Sequence, residues 1–552
     1  MKKILLISVF FITISCSNNS QITLEQVPDN STIIKSNNFL KINPHLIAPL
    51  SAELHIQAPN TDLTITVKGQ DGEDSDISYT WKNATNTIFP ILGMYFQYTN
   101  TIIISTPALS KTIQIVITNQ ASEYITSIEV LVNNRPINEE RKNFLNFFNP
   151  VSSLKDLFAT DNYGKIRWYL SSTNELHAMK FNTSNNEVQF SILNTVAPEV
   201  LTYNMLGKLV NIVKGPKEPV YNVKEADKRY HHDFFYRDNG NIIILDKSQY
   251  GVEDAILEVD SKGTIVKEIQ IGDWIRKTIN NDPKDNTELE NFIFDSEDNP
   301  FDEYASGIRY PGMPEKQNAI DWAHINAMDF DEQTDTIYLS FRQHGIFAFD
   351  YNTETLKWIF IRKDYTIPFT NRLFYNLPDT MDYVYNIPSL AKYILKGING
   401  PDHTHSISFL SNNQFMVFDN SGDDGNYPAE GSRLLVFSVN DETKTATLDW
   451  EYRHTNQDGT LVYSQIVSDI DKTPFNSYIG TFGTTAPFPY VELDANNKVI
   501  FDMRLNITAR GTGESDVALP IACPTSRLMQ NGVVLYRSDY NSIYPSIYKS
   551  ID

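Results

Sequence analysis

Cysteine is nearly absent: the 552 residues contain two, Cys16 and Cys523. A disulfide scaffold is therefore excluded, and the fold must be held by its core even in a compartment that permits disulfides. Basic excess is lacking too. Lys and Arg total 46 against 68 Asp and Glu, a formal net charge of −22. Binding along a phosphate backbone needs clustered cations to displace counterions, so nucleic acid is not an expected partner. The acidity reads as a soluble, self-repelling surface. Long apolar runs are also missing. The one hydrophobic stretch, Ile4 to Ile14, is well short of the roughly 20 residues that span a bilayer.

That stretch follows Lys2 and Lys3 and ends at Ser15-Cys16, which makes it the apolar region of an export signal. A Cys directly after a small residue resembles a bacterial lipobox. On that reading residues 1–16 are a signal peptide, and Cys16 is acylated, so the membrane is touched by a lipid anchor alone. The expected place is the periplasm or cell envelope. Residues 17–31 are polar and read as a tether.

What the chain has in quantity is aromatic and β-branched sequence, including 29 Tyr and 31 Phe. Between residues 32 and 135, alternating segments such as DLTITVKG (62–69) and KTIQIVITN (111–119) are separated by turn residues. Period-2 patterning of this kind predicts a small antiparallel sandwich. From residue 150 to 552 a unit recurs: β run, gap, β run, acidic or Asn-containing turn, β run. Copies start near Asn162, Asn239, Asp335, Asn412, Asn476 and Asn531. Repeated meanders stack radially about a channel, so the expected class is all-β, a six-bladed β-propeller with a small N-terminal β-sandwich domain. Insertions at 275–320 and 365–400 are expected to form loops over one face.

Candidate chemistry lies with histidine. His232 and His405 each sit seven residues before a copy's start, and His324 is nearly equivalent. Innermost strands line the channel, so equivalent positions should bring the three imidazoles to one depth. Arg342 follows His324 by eighteen residues, and Asn326 shares a strand side with His324. His231 and His403 read as hydrogen-bonding neighbours. His45, His55, His344 and His454 read as structural or solvated.

The segments HHDFFYRDNGNIIIL, DWAHINAMDFDEQTDTIYLSFRQHGIFAFD and HTHSISFLSNNQFMVFDNSG resemble those that mark bacterial arylsulfate sulfotransferases. These are periplasmic six-bladed propellers that do not use the nucleotide sulfate donor, and ILGMYFQYTNTI (91–102) resembles the end of their N-terminal domain. The resemblance implies a sulfated nucleophile at His405, with His232, His324, Asn326 and Arg342 contacting the sulfate and Thr481 on a loosely aligned strand. It implies transfer from an aryl sulfate donor to a phenolic acceptor by ping-pong kinetics, with no cofactor, no metal and a homodimeric state. One departure stands out: the family's disulfide shortly before the active histidine has no cysteines here. Two other readings of the residues remain at this point. Three histidines with an amide or carboxylate also suit a metal-dependent propeller hydrolase or lyase. A lipid-anchored propeller that only captures an anionic ligand is the other.

Overall fold

The computed structural model describes residues 21–23, 39–152, 156–172, 176–184, 186–195, 197–215, 230–246, 255–279, 324–342, 345–361, 392–401, 403–421, 431–507 and 533–546. The lipidation candidate Cys16, the tether, and most of both expected insertions lie outside them, as do His344 and Cys523. The described chain is almost entirely β-strand. Its α-helix Ile271–Ile279 is nine residues long, and no described helix is long and apolar enough to cross a membrane.

Alternation builds the N-terminal sandwich. Thr61–Val67 and Ser110–Ile117 bury every second side chain, the pattern of strands with one face on a core. They belong to a five-stranded antiparallel sheet that also holds Gln21–Thr23, Tyr98–Ser105 and Ile77–Ala84. A three-stranded sheet of Leu40–Ile42, Ala52–His55 and Ile88–Ile91 faces it. Leu54, Leu63, Ile65, Phe89, Ile102 and Ile115 fill the space between.

Six further sheets make the propeller. Their innermost strands are Val533–Ser542, Leu176–Ser184, Tyr230–Tyr236, Ile325–Asp331, Ser406–Ser411 and Asp469–Lys472. Each packs against the next around a closed ring. The second strands are buried on both faces, as in Ile242–Asp246 and Thr336–Phe341, because each blade is sandwiched between two others. Asp335, Asn412 and Asn476 adopt positive φ in the turns after three innermost strands. Asn and Asp tolerate that conformation at low cost, which is why they punctuate the repeat.

Closure mixes both ends of the chain. The first blade takes its innermost strand from the C-terminal Val533–Ser542, which pairs antiparallel with Phe144–Ser152. The sixth blade takes an outermost strand, Ile125–Asn133, from upstream of the propeller. That strand falls inside the range expected for the sandwich, and the first propeller strand begins at residue 144 rather than 150. Its side chains are mostly half-exposed, so its pattern does not reveal which sheet it joins. Asn162 likewise marks an outer hairpin of the first blade, between Leu157–Thr160 and Ile166–Leu170. The first repeat copy therefore straddles two blades, although the total of six holds.

Polar side chains brace the ring. Asp233 accepts the Met328 amide of the next blade, Asp329 that of Phe409, and Asp469 that of Ser538. Arg537 pairs with Asp469 at 3.0 Å and lies 3.5 Å from Asp233. Near the sandwich junction, the buried Glu492 receives Arg135, Arg141 and the Ser477 hydroxyl. Arg135 sits over the Phe501 and Tyr540 rings. Arg167, also buried, donates to Gly93 O at 2.7 Å and Ser75 O at 2.8 Å, tying the first blade to the sandwich.

Removing Glu492 strands two guanidinium groups in a dry site, and an uncompensated buried charge costs about 3–5 kcal/mol. Glu492→Ala should lower the urea midpoint of the propeller by that order, and an unchanged midpoint would show that solvent reaches the pair.

Candidate active site

Four of the five innermost strands after the first blade carry a histidine at or directly before their start, so these side chains gather at one end of the axis. His177 is the second residue of Leu176–Ser184, and His232 the third of Tyr230–Tyr236. His324 and His405 each directly precede their strands. Bulges aim these positions. The ladder skips between Tyr230 and Phe234, around His232, and between Ile325 and Ala327, at Asn326. His232 and His324 both hold positive φ, 54° and 42°. Backbone strain of this kind in a non-Gly residue persists only where packing over-determines it.

The side chains meet. The rings of His232 and His324 are 5.3 Å apart, edge to face. His177 lies 6.1 Å from His232 and 4.7 Å from the Tyr536 ring. His405 is buried, and burial lowers its pKa well below 6.5, with Arg342 and His324 adding to the effect. His232 is lowered likewise, by burial first and then by His231, His324, His177 and His405. Arg342 is held close by its backbone amide, which donates to His324 O at 3.2 Å.

Hydrogen bonds fix the rings. His231 Nε2 faces the Asp246 carbonyl at 3.0 Å and must donate to it, so in a neutral ring His231 Nδ1 accepts. Its partner at 3.0 Å is His232 Nδ1, which therefore carries the hydrogen and leaves His232 Nε2 with the lone pair. His405 Nδ1 faces His403 O at 3.1 Å and Asn420 Oδ1 at 3.0 Å. Asn326 is wholly buried, and neither of its amide atoms has a hydrogen-bond partner among the described residues. An amide in that state is costly unless a ligand completes it.

The structure thus brings together His232, His324, Arg342 and His405 and sets Asn326 two residues after His324; bulges lie around His232 and at Asn326, while none lies beside His405. Thr481 is different: it sits on a second strand, and its hydroxyl bonds Ser538 of the first blade. His177 and Tyr536 escaped the sequence reading. His177 does fall at the start of a repeat's first β run, in NELHAMKF, which is the signal that could have found it. His454 is structural, bonded to Tyr452 and Arg504. Among the described residues, no group of three or more His, Cys, Asp or Glu is placed to hold a metal ion.

With this geometry in view, comparison with known proteins is informative. The family described as arylsulfotransferase (ASST) matches residues 121–516, and its Ig-like domain matches residues 39–127. The chain belongs to the arylsulfotransferase family. That membership gives sulfuryl transfer as the reaction class, with small aryl sulfates and phenols as substrates. No curated protein matches the chain. Among solved structures, Sqt1 of Saccharomyces cerevisiae is similar at 8% identity, covering 82% of this chain and 94% of its own, with a TM-score of 0.30. A putative 6-phosphogluconolactonase from Bacteroides fragilis gives 10% identity, 81% and 96% coverage and a TM-score of 0.31. Scores that low carry no argument about this chain.

The depressed imidazoles set a pH dependence of stability. His232 and His405 lie well below 6.5 in the folded state, and His454 at about 3. The unfolded chain binds more protons between those values and 6.5, so the stability is complete above pH 6.5 and erodes as pH falls, by up to about 1.4 kcal/mol per unit for each histidine. Burial raises Asp329 and Asp502 to about 6; they take up protons on folding and oppose the loss below that pH. Three histidines against two aspartates leave a net loss, so urea midpoints should hold from pH 8 to about 7, fall from there and keep falling less steeply below pH 6, whereas a flat profile from pH 7 to 5 would contradict neutral imidazoles.

Proposed function

We propose that this protein moves a sulfuryl group from an aryl sulfate to a phenol by a ping-pong reaction through a sulfohistidine on His405. The observation that carries this reading is His405, buried and set among Arg342, His324 and His232, with its protonation disfavoured by burial first and by Arg342 next. A neutral imidazole is a competent nucleophile, and a guanidinium fork suits the oxygens of a sulfuryl group. In the first half-reaction His405 attacks sulfur in line with the aryl–oxygen bond. As in phosphoryl transfer, the transition state is loose and catalysis is mostly positioning and charge stabilisation. Arg342 and the Asn326 amide would contact the equatorial oxygens, Asn326 gaining there the partners it lacks among the described residues.

His232 would handle the phenolic proton. Its Nδ1–H is spent on His231, so Nε2 is the atom available as a base. At rest His232 is held toward the neutral form, because burial and the neighbouring imidazoles disfavour its protonation. An arriving sulfate monoanion reverses that balance and draws a proton in. The proton goes to the departing phenolate and is taken back from the acceptor phenol in the second half-reaction. Export and tethering through an acylated Cys16 complete the proposal.

Incubation with an aryl sulfate and no acceptor should add one sulfuryl group by intact mass, mapped to His405. His405→Ala should abolish both adduct and transfer, while Arg342→Ala should lower kcat about 10²–10³-fold. The acid limb of kcat/KM, which reports the free protein, should lie below pH 6.5. Turnover without an adduct on His405 would overturn the mechanism.

A further inference from the structure

Behind His405 stands a buried group that the transfer chemistry above does not use. Asn420 follows the strand Gln414–Asp419 and is wholly buried. Its amide nitrogen lies 2.6 Å from Ser464 O and 3.1 Å from Val467 O. Carbonyls only accept, so the NH₂ must face them, and the amide oxygen is thereby turned toward His405. The segment that receives the amide is itself braced: Ser464 N–H donates to the Ser432 hydroxyl at 2.8 Å, and that hydroxyl lies 3.1 Å from Asn420 O. The orientation of Asn420 is therefore set by its surroundings and not by the imidazole.

Both atoms facing His405 Nδ1, Asn420 Oδ1 and His403 O, are acceptors. Nδ1 must carry the hydrogen, and in a neutral ring the lone pair then sits on Nε2. The charged and titratable groups that act on this ring are Arg342 and His324, with His232 alongside. Among the described residues, no carboxylate is a cause of the shift at the nucleophile.

We propose that Asn420 is a positioning residue for the transfer: it locks His405 in the Nδ1–H form, frees Nε2 to attack sulfur, and keeps that proton on the ring throughout. This rests on the reading of His405 as the nucleophile. As the Nε2 lone pair forms the N–S bond, the S–O(aryl) bond breaks and its electron pair leaves on the phenolate oxygen. Neither neutral acceptor can remove the Nδ1 proton, so the sulfated ring is an imidazolium. When the acceptor oxygen attacks sulfur, the N–S pair returns to Nε2 and the leaving group is a neutral imidazole in its starting tautomer. A carboxylate at this position would draw the proton away and leave something closer to imidazolate, a worse leaving group. A neutral amide thus suits a carrier that must gain and lose the sulfuryl group with comparable ease.

The test uses the full chain and its Asn420→Ala and Asn420→Asp variants, with 4-nitrophenyl sulfate as donor and phenol as acceptor. Asn420→Ala should slow adduct formation about 10–100-fold, the usual scale for losing a group that orients an imidazole, with KM little changed. ¹⁵N-histidine spectra should show His405 losing its Nδ1–H preference. Asn420→Asp, which keeps the volume, should move the acid limb of kcat/KM upward and lengthen the life of the adduct after phenol is added. Wild-type adduct rate, acid limb and tautomer in both variants would overturn the role of Asn420, provided wild type is sulfated on His405. Absence of that adduct in wild type would instead overturn the nucleophile beneath it. Should Asn420→Ala fail to fold, the acid limb and adduct lifetime of Asn420→Asp decide.

Discussion

Everything at the axis depends on the antiparallel pairing of Phe144–Ser152 with Val533–Ser542. Those two segments come from opposite ends of the propeller, and their pairing, with that of Ile125–Asn133 in the sixth blade, joins six stacked sheets into a ring. Each backbone hydrogen bond adds only about 1 kcal/mol net. Closure matters more than that sum, because an open array of blades has no common axis and leaves two exposed sheet edges. The aspartates that accept amides from the following blade reinforce it where the innermost strands are too splayed to form a ladder. Arg537 then gathers two of these aspartates, Asp233 and Asp469, and balances their charge in the interior.

Charge is sorted along the same axis. Aspartates sit within the ring, on or beside the strands, and imidazoles gather with Arg342 where the strands begin. His232 and His405 are held toward the neutral form by burial and by their neighbours, and the guanidinium of Arg342 stands beside them. An anion entering beside Arg342 gains Coulomb energy in a poorly solvated setting. A carboxylate in the place of Asn420 would oppose that anion. The neutral Asn420 directs the ring without doing so.

The number of blades and the convergence of the histidines were legible because a propeller translates repetition directly into geometry. Asp335, Asn412 and Asn476 mark turns that require a tolerant residue, and the runs beside them are buried on both faces. His232, His324 and His405 stood out because they recur at the start of such runs. Illegible were the swap of Ile125–Asn133 into the sixth blade and the straddling of the first copy. Pairing partners are chosen by what lies alongside, and a half-exposed strand carries no mark of its neighbour.

The sequence alone determined that the chain is all-β, that it repeats, and that its imidazoles belong to different repeats, since composition and periodicity are local properties. Only the tertiary structure decided that bulges fall around His232 and at Asn326, and that Thr481 spends its hydroxyl on Ser538. It alone added His177, Tyr536 and Asn420 to the set. Those outcomes arise from contacts between segments tens to hundreds of residues apart, and a hydrogen bond to a distant carbonyl leaves no trace in the order of the residues that make it.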